Sequence, residues 1–374
     1  MAVAGILAAN VLVFFGQFVI PPERAAALST VAADRVVLFL EHVFVDGKFY
    51  SVFSLLFGIG FGLQLVRASD AGGNFARLWR RRMVGLFVLG LVHAVFLSTI
   101  DILVQYALLG ALLYALRKAS DRRLLTIAAL LLVVPVLFTA LAVALGDVAD
   151  FAGVSPAEAR EAIAAYAHGT LRAFLVQRLR DLVGYYVWVG VSAGYPIVAM
   201  FLLGYVVARR GIPRALDGNR ALLRRVFAIA LPIAIVFCTT REVLDEGLLR
   251  APTRAPRLWI LHALLRMVGN PALCLSYATG FTLLFLRPSA GFVTTALARL
   301  GRTALSQYVL QSLVMSALFF GARLYGSVSP TAAMGIGVAL YAGQLVLVTF
   351  WVQRYRQGPL EALWRRWTYA GSAV

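Results

Sequence analysis

The feature that most constrains this chain is a series of ten stretches of mostly uncharged residues, each close to the length that crosses a bilayer. A hydrocarbon core about 30 Å thick needs about 20 helical residues, and a helix satisfies its own backbone hydrogen bonds there. The 374-residue chain is 61% hydrophobic and only 14% charged, which is too apolar for a soluble protein. We therefore predict an all-α polytopic membrane helix bundle of about ten transmembrane helices. The stretches are 3–20, 49–66, 83–100, 102–116, 124–146, 183–208, 226–240, 258–286, 303–322 and 331–352.

Some of these stretches allow two interpretations. The runs 102–116 and 226–240 are short for a span, so each is either a half-helix or gains a turn from its flanks. The first 20 residues are uncharged, and we expect a retained helix there because the positive segment that opens a signal peptide is missing. No internal repeat relates the halves, so we predict a single integral membrane domain over 1–374.

Charge is distributed unevenly between the connections. Those on one side of the predicted membrane hold 22 Lys and Arg against 4 Asp and Glu, whereas those on the other side hold 12 against 13. Basic residues are retained on the cytoplasmic side, so we predict that the basic side and both termini are cytoplasmic. This topology explains the net charge of +18 without nucleic acid, which needs basic residues gathered on one water-exposed face. The basic side is also suited to attract anionic lipid head groups or an anionic coenzyme A thioester.

The longest connection on the predicted outer side is the amphipathic segment 147–182. Within it, Ser155 followed by Pro156, with Glu158 three residues after the serine, is typical of a helix start. We expect one or two amphipathic helices that either pack against the bundle or cover a site as a lid. At the other end of the chain, 353–374 is expected to be a cytoplasmic tail.

The stretch "GLVHAVFLSTIDILVQYALL", which begins at residue 90, places ionisable residues where hydrocarbon is expected. His93 lies near the end of one run and Asp101 begins the next, so antiparallel helices would bring the two side chains within reach. An imidazole oriented by a carboxylate is a general base, and ionisable groups inside membranes are usually functional. Alternatively, Asp101 only caps its helix and His93 bonds to nearby backbone. Gln105 and Tyr106, one turn later, either contact a substrate or make polar contacts between helices.

The second run contains both a charged residue and a glycine stripe. Lys48 lies at its predicted outer mouth and either neutralises an anionic intermediate or extends toward the interface. Gly58, Gly60 and Gly62 are expected to permit close helix approach, because no strand precedes them as a nucleotide-binding loop would require.

Two later runs carry further polar groups. Arg266 in the eighth run either holds a carboxylate or phosphate group or pairs with an acid, and Pro271 is expected to end its helix. The ninth run begins at "GRTALSQYVLQS", where Arg302, Tyr308 and Gln311 belong to a polar stripe that continues to the following serine. Such a stripe faces protein or a cavity rather than lipid.

The remaining histidines and motifs give fewer indications. His42 and His168 lie in outer connections and are expected to be solvated. Neither a Cys/His cluster nor an H-E-x-x-H motif occurs in the sequence, so we predict neither a metal site nor a bound cofactor.

Three stretches together resemble a known family of bacterial membrane proteins. They are "DGKFYSVFSLLFGIGFGLQLVR", "RRRMVGLFVLGLVHAVFLSTIDILVQYALLGALL" and "GRTALSQYVLQS", the last with the tail "GPLEALWRRW". With this order they resemble the YeiB-like family, a domain of unknown function. The resemblance implies a multi-pass protein of the bacterial cytoplasmic (inner) membrane. That family is similar in membrane architecture to transmembrane acyltransferases such as the lysosomal heparan glucosaminide N-acetyltransferase.

The resemblance implies a reaction and roles for the polar residues. The reaction is acyl transfer from a cytoplasmic thioester, with acyl-coenzyme A as donor substrate, to an extracytoplasmic or membrane acceptor such as a sugar, lipid or small molecule. In the lysosomal relative a histidine follows an asparagine in the first span, whereas here Asn10 is followed by Val11. This chain therefore either uses His93 as its base or does not catalyse the reaction.

Other roles remain open at this point. Lys48, Arg266 or Arg302 would stabilise charge on the acyl or phosphate part of the substrate. A transporter or lipid-handling protein could use the same histidine and aspartate as a proton relay, and a non-catalytic membrane scaffold would use them only for packing.

Overall fold

The computed structural model describes residues 2–16, 27–70, 73–146, 155–250, 256–287 and 291–369. Throughout these ranges the regular structure is helical, as the all-α prediction requires. The helices are α1 (Ala2–Phe15), α2 (Ala32–Phe44), α3 (Phe49–Asp70), α4 (Phe75–Phe96), α5 (Ile102–Ala115), α6 (Asp121–Leu145), α7 (Pro156–Ile163), α8 (Leu171–Gly184), α9 (Gly190–Arg209), α10 (Arg220–Arg250), α11 (Pro256–Phe285), α12 (Gly291–Arg302), α13 (Ala304–Ser316), α14 (Pro330–Arg354) and α15 (Pro359–Tyr369). Short π-helical turns extend three of them, at Ala164–His168, Tyr185–Val189 and Ala317–Gly321.

Each of the ten predicted runs overlaps one of these helices. Within the described ranges, six helical segments are long and apolar enough to cross a membrane, and three shorter helices are also apolar. The short run 102–116 remains a 14-residue helix, whereas 226–240 lies within the 31-residue helix α10 and is therefore no half-helix. Parts of three predictions lie outside the described residues: 17–20 of the first run, 147–154 of the outer connection and 370–374 of the tail.

The expectation that Pro271 ends its helix is wrong, because α11 continues to Phe285. A proline removes one backbone donor, and neighbouring helices can hold both sides of the interrupted turn together. Here α11 packs along the length of α10. Close packing is evident at Gly269, where a β-carbon would lie 2.9 Å from the sulfur of Cys238 in α10. Tertiary packing therefore overrides the local signal of the proline.

Helices α3 and α9 approach each other at the predicted glycine stripe. A β-carbon at Gly58 would lie 2.0 Å from the carbonyl oxygen of Phe201, and one at Gly62 would lie 2.6 Å from Cβ of Ala208. Any side chain at these two positions would therefore separate the helices. Gly60 differs, because its nearest neighbour would be 4.0 Å away. The prediction of close approach is confirmed for the first two glycines and wrong for Gly60, which points away from α9.

The C-terminal tail is a docked helix that anchors two others. The indole nitrogen of Trp364 in α15 donates to the carbonyl of Arg82 in α4 at 3.3 Å. Glu361, in the same helix, accepts hydrogen bonds from the backbone amides of Leu305 (2.6 Å) and Ser306 (3.0 Å). Because these amides have no partner within α13 itself, the tail caps the start of that helix. The tail thus fixes α4 and α13 relative to each other.

The predicted start of an outer amphipathic helix is confirmed. Oγ of Ser155 accepts from the amide of Glu158 at 3.3 Å, and the Glu158 carboxylate accepts from the Ser155 amide at 3.0 Å. The hydrogen bond from the Ser155 side chain holds the pKa of Glu158 below its ordinary value. The next helix buries Arg178 with its guanidinium 4.9 Å from the ring centroids of both Phe174 and Phe320. Within its described part, this segment therefore packs against the bundle.

Candidate functional site

Side chains from three helices meet inside the bundle, and we call them the histidine centre: His93 near the end of α4, Asp101 at the start of α5 and Ser312 in α13. Nδ1 of His93 lies 2.9 Å from Oδ1 of Asp101, and Nε2 lies 2.8 Å from Oγ of Ser312. Their exposed fractions are 1%, 0% and 1%. The structure thus brings together the two residues that the sequence proposes as base and orienting acid. It adds a hydroxyl whose role the sequence did not indicate.

Asp101 has two structural roles at once. Its backbone is extended at the residue before α5, and its Oδ2 accepts a hydrogen bond from the amide of Val104 at 2.8 Å. The other oxygen, Oδ1, is the one that faces His93. Gly90 of α4 makes this approach possible, because a β-carbon there would lie 2.9 Å from Oδ2 of Asp101. The helix-capping interpretation and the interpretation as a partner of histidine therefore both hold.

The arrangement selects one form of the imidazole. An ionised carboxylate only accepts hydrogen bonds, so we assign the ring hydrogen to Nδ1, which faces Asp101. Nε2 then presents a lone pair to the Ser312 hydroxyl. The ring of Tyr308, one turn before Ser312, stacks on the imidazole with centroids 4.7 Å apart and planes at 29°. This packing restrains the orientation of the ring, which suits His93 to accept a proton from a hydroxyl at Nε2.

Tyrosines border the histidine centre beside Asp101. Gln105, buried one turn after Asp101, interacts with the side chain of Tyr185. Tyr185 and Tyr186 are half-buried and lie close enough to Asp101 to interact with it electrostatically. Groups that are only half-buried therefore adjoin a centre that is itself fully enclosed.

Two other predicted substrate contacts connect helices instead. The hydroxyl of Tyr106 donates to the carbonyl of Tyr50 at 2.9 Å and lies 2.7 Å from Oγ of Ser54. The amide of Gln311 donates to Oε1 of Gln344 in α14 at 2.7 Å. These hydrogen bonds fit the packing interpretation of both residues. They hold the helices around the histidine centre in place.

A second group of ionisable side chains, the charged cluster, lies where α2, α3, α10 and α11 meet. Nδ1 of His42 is 2.8 Å from Oε1 of Glu242, and the carbonyl of His42 accepts hydrogen bonds from Arg241 (2.8 Å) and from Lys48. Arg241 also lies 3.4 Å from Oδ2 of Asp46. The members of the cluster are Glu41, His42, Asp46, Lys48, Arg241, Glu242, Asp245, His262, Arg266 and Asn270.

The charged cluster changes several sequence-based interpretations. Lys48 is completely buried and donates to backbone, so it does not extend toward the interface. The expectation that His42 is solvated is wrong, since it forms ion-pair contacts with glutamates, whereas His168 is exposed as expected. Arg266 interacts with Asp46, so an acid is its neighbour in the structure. The sequence does not indicate that Arg241 is buried, because Arg241 directly follows the seventh run and therefore belongs to a predicted outer connection.

Arg302 lies apart from both groups. It is exposed at the end of α12, where it lines a cleft of about 430 Å³ together with Arg299, Gln353 and neighbouring side chains of α12 and α14. Its position therefore suits contact with an anion at the protein surface rather than contact with His93.

Comparisons with known proteins give the following relatives. A family model described as "Protein of unknown function (DUF418)" matches residues 207–371. The uncharacterized protein YxaH of Bacillus subtilis is 30% identical over 351 residues, which are 90% of this chain and 83% of that protein. An uncharacterized 39.9 kDa protein of Bacillus acidopullulyticus is 27% identical over 98% of this chain and 91% of its own length. The uncharacterized protein YeiB of Escherichia coli is 26% identical over 87% of this chain and 83% of its own. No solved structure matches.

Proposed function

Given that the chain belongs to the YeiB-like DUF418 family, we propose that it is a membrane acyltransferase with His93 as general base. It moves an acyl group from a coenzyme A thioester to a hydroxyl or amine acceptor in the membrane or on its far side. The observation that carries the proposal is the enclosed imidazole of His93, which lies between the carboxylate of Asp101 at 2.9 Å and a hydroxyl at 2.8 Å.

The chemistry of acyl transfer needs a group that removes a proton as a nucleophile attacks the thioester carbonyl. Neutral His93 supplies the lone pair of Nε2 for this step, and Asp101 stabilises the imidazolium that forms. Burial of both groups strengthens that stabilisation because water does not screen the charges. General-base catalysis of this kind contributes about 10²- to 10⁴-fold to the rate.

The distribution of charge fits an anionic donor. The connections predicted to be cytoplasmic hold 22 Lys and Arg against 4 acids, which attracts the phosphates of coenzyme A to that side. At the cleft of α12 and α14, Arg299 and Arg302 lie on the predicted cytoplasmic side. We propose that they contact donor phosphates, while the acyl end of the donor enters the bundle.

The test is transfer of a radiolabelled acyl group by the purified full chain. Wild-type protein in proteoliposomes is incubated with acyl-coenzyme A of several chain lengths and with a bacterial envelope extract as source of acceptors. We expect covalent labelling of an extract component, and His93→Ala should lower its rate by about 10²- to 10⁴-fold. His168→Ala is the matched control, since that histidine is exposed and its loss should leave the rate unchanged.

Two results would contradict the proposal. Equal transfer rates for wild type and His93→Ala would remove the histidine from the chemistry. Counterflow of label across the proteoliposome membrane without any covalent product would support the transport interpretation instead.

A further inference from the structure

We propose that Ser312 is a nucleophile that holds the acyl group covalently between donor and acceptor. This inference rests on the proposed acyl transfer and adds a step to it. The hydroxyl of Ser312 lies 2.8 Å from Nε2 of His93, so a proton donor is already in place at the basic nitrogen. An acceptor would have to displace this hydroxyl from Nε2 if the reaction proceeded in a single step.

The geometry is that of an activated serine. Nucleophilic catalysis requires the nucleophile within hydrogen-bond reach of a base, and a third group that orients the base. Ser312, His93 and Asp101 satisfy both conditions at 2.8 and 2.9 Å, with each residue on a different helix. The orienting carboxylate is fixed in turn by the amide of Val104. Along the chain the three occur in the order histidine, aspartate, serine, which is one of several orders found among serine hydrolases, and such triads are defined by geometry rather than by order.

The hydroxyl of Ser312 faces Nε2 of His93, although a backbone carbonyl is the common partner of a serine inside a helix. Serines inside helices commonly donate to the carbonyl four residues earlier, as Ser276 does toward Ala272 at 2.8 Å. Ser316, one turn after Ser312, donates instead to the carbonyl of Leu97. Ser312 faces the imidazole, which places a reactive hydroxyl about midway along the segment formed by α13 and its π-helical turn.

The position of Ser312 suits a donor that enters from the predicted cytoplasmic side. It comes eight positions after Ala304, so it lies about 12 Å along α13 from the end that Glu361 caps. The pantetheine arm of coenzyme A is long and narrow, and it can carry a thioester into a bundle while the phosphates stay outside. An acyl-serine at this depth can then meet an acceptor that approaches from the other side.

Both half-reactions balance with the groups present. In the first, Oγ of Ser312 attacks the thioester carbonyl while its proton passes to Nε2 of His93. The carbon–sulfur bond then breaks, and coenzyme A leaves as a thiol with that proton. In the second, Nε2 takes a proton from the acceptor hydroxyl or amine, which attacks the acyl-serine carbonyl. The carbon–oxygen bond to Ser312 breaks and the serine regains its proton from His93.

A covalent intermediate has a consequence that needs no knowledge of the acceptor. The first half-reaction is reversible, so the enzyme should exchange radiolabelled coenzyme A into unlabelled acetyl-coenzyme A or longer acyl-coenzyme A without any acceptor. We expect exchange by the purified wild-type chain and its loss by at least about 10³-fold in Ser312→Ala. The matched control is Ser276→Ala, which removes an equally buried serine hydroxyl in α11 and should exchange at the wild-type rate.

A second measurement uses only the wild-type protein, so it does not require that the Ser312→Ala variant folds. Wild-type protein is quenched in acid after incubation with the acyl donor, and its peptides are analysed by mass spectrometry. We expect the acyl group on Ser312.

The outcomes separate this inference from the proposed function. If wild type labels an envelope acceptor but shows neither exchange nor an acyl-serine, transfer is direct and the inference is wrong while the function stands. An acyl group on another residue, with exchange retained in Ser312→Ala, also overturns it. If wild type neither exchanges nor transfers with any of the donors, the proposed function fails and the inference fails with it.

Discussion

Substitution of Gly90 by alanine would drive a methyl group into the start of the helix that carries Asp101. A β-carbon at Gly90 would lie 2.6 Å from the amide nitrogen of Val104 and 2.9 Å from Oδ2 of Asp101. Ordinary van der Waals contact begins at 3.4 Å, so α4 and α5 must separate by about 0.8 Å at this point. Since His93 lies one turn after Gly90, the same displacement lengthens the contact between imidazole and carboxylate.

The two consequences of this shift differ in size. Overpacking costs about 1–3 kcal/mol, and alanine recovers about 1 kcal/mol because it is a better helix former than glycine. The free energy of unfolding should therefore fall by no more than about 2 kcal/mol. A displacement of about 1 Å between reacting groups lowers catalysis by about 10²-fold. Gly90→Ala should thus remain folded and lose most of its acyl-transfer and exchange activity.

The assay compares Gly90→Ala with Gly60→Ala in detergent-purified protein. Thermal unfolding followed by tryptophan fluorescence reports stability, and coenzyme A exchange reports the reaction. Gly60→Ala is matched in chemistry, but its β-carbon would lie 4.0 Å from the nearest atom, so it should keep full activity and unfold at the same or a higher temperature. A folded Gly90→Ala protein that exchanges at the wild-type rate would refute the argument that the spacing of His93 and Asp101 limits the reaction.

Three further substitutions test the architecture. Gly58→Ala places a β-carbon 2.0 Å from a carbonyl oxygen of the facing helix. Its free energy of unfolding should therefore fall by about 3 kcal/mol, and its unfolding temperature should lie well below that of Gly60→Ala. Arg241→Met removes the buried cation that contacts Asp46 and Glu242 and should cost about 3 kcal/mol, whereas Arg220→Met, which removes an exposed ion pair, should cost no more than about 1 kcal/mol. Glu361→Ala removes the cap of α13 and should cost about 1–2 kcal/mol. Each difference is measured by thermal unfolding against the named control variant, or against wild type for Glu361→Ala, and equal stabilities within a pair would contradict the stated contact.

The sequence by itself determined the helical class and the spacing of the spans. Long uncharged runs predict membrane-spanning helices because hydrocarbon admits only backbone that is hydrogen-bonded within its own segment. It also predicted that the helices of His93 and Asp101 are antiparallel neighbours, because a connection of only a few residues joins them, and that the two side chains are within reach of each other. Local chemistry likewise predicted the start of α7 at Ser155 and Glu158. In each case the interacting residues are close together in the sequence, so the sequence alone is sufficient to predict the interaction.

Only the tertiary structure decided which distant helices complete these pairs. Ser312 is 219 residues from His93, and Glu242 is 200 residues from His42. These two contacts depend on how α13 and α10 pack against the rest of the bundle. That packing is determined by side-chain shapes and glycine contacts throughout the chain. For the same reason Pro271 continues its helix, because packing against α10 outweighs the loss of one hydrogen bond. A polar side chain in a span indicates that a hydrogen-bonding or charged partner is needed, but the arrangement of helices in the bundle decides which residue that partner is.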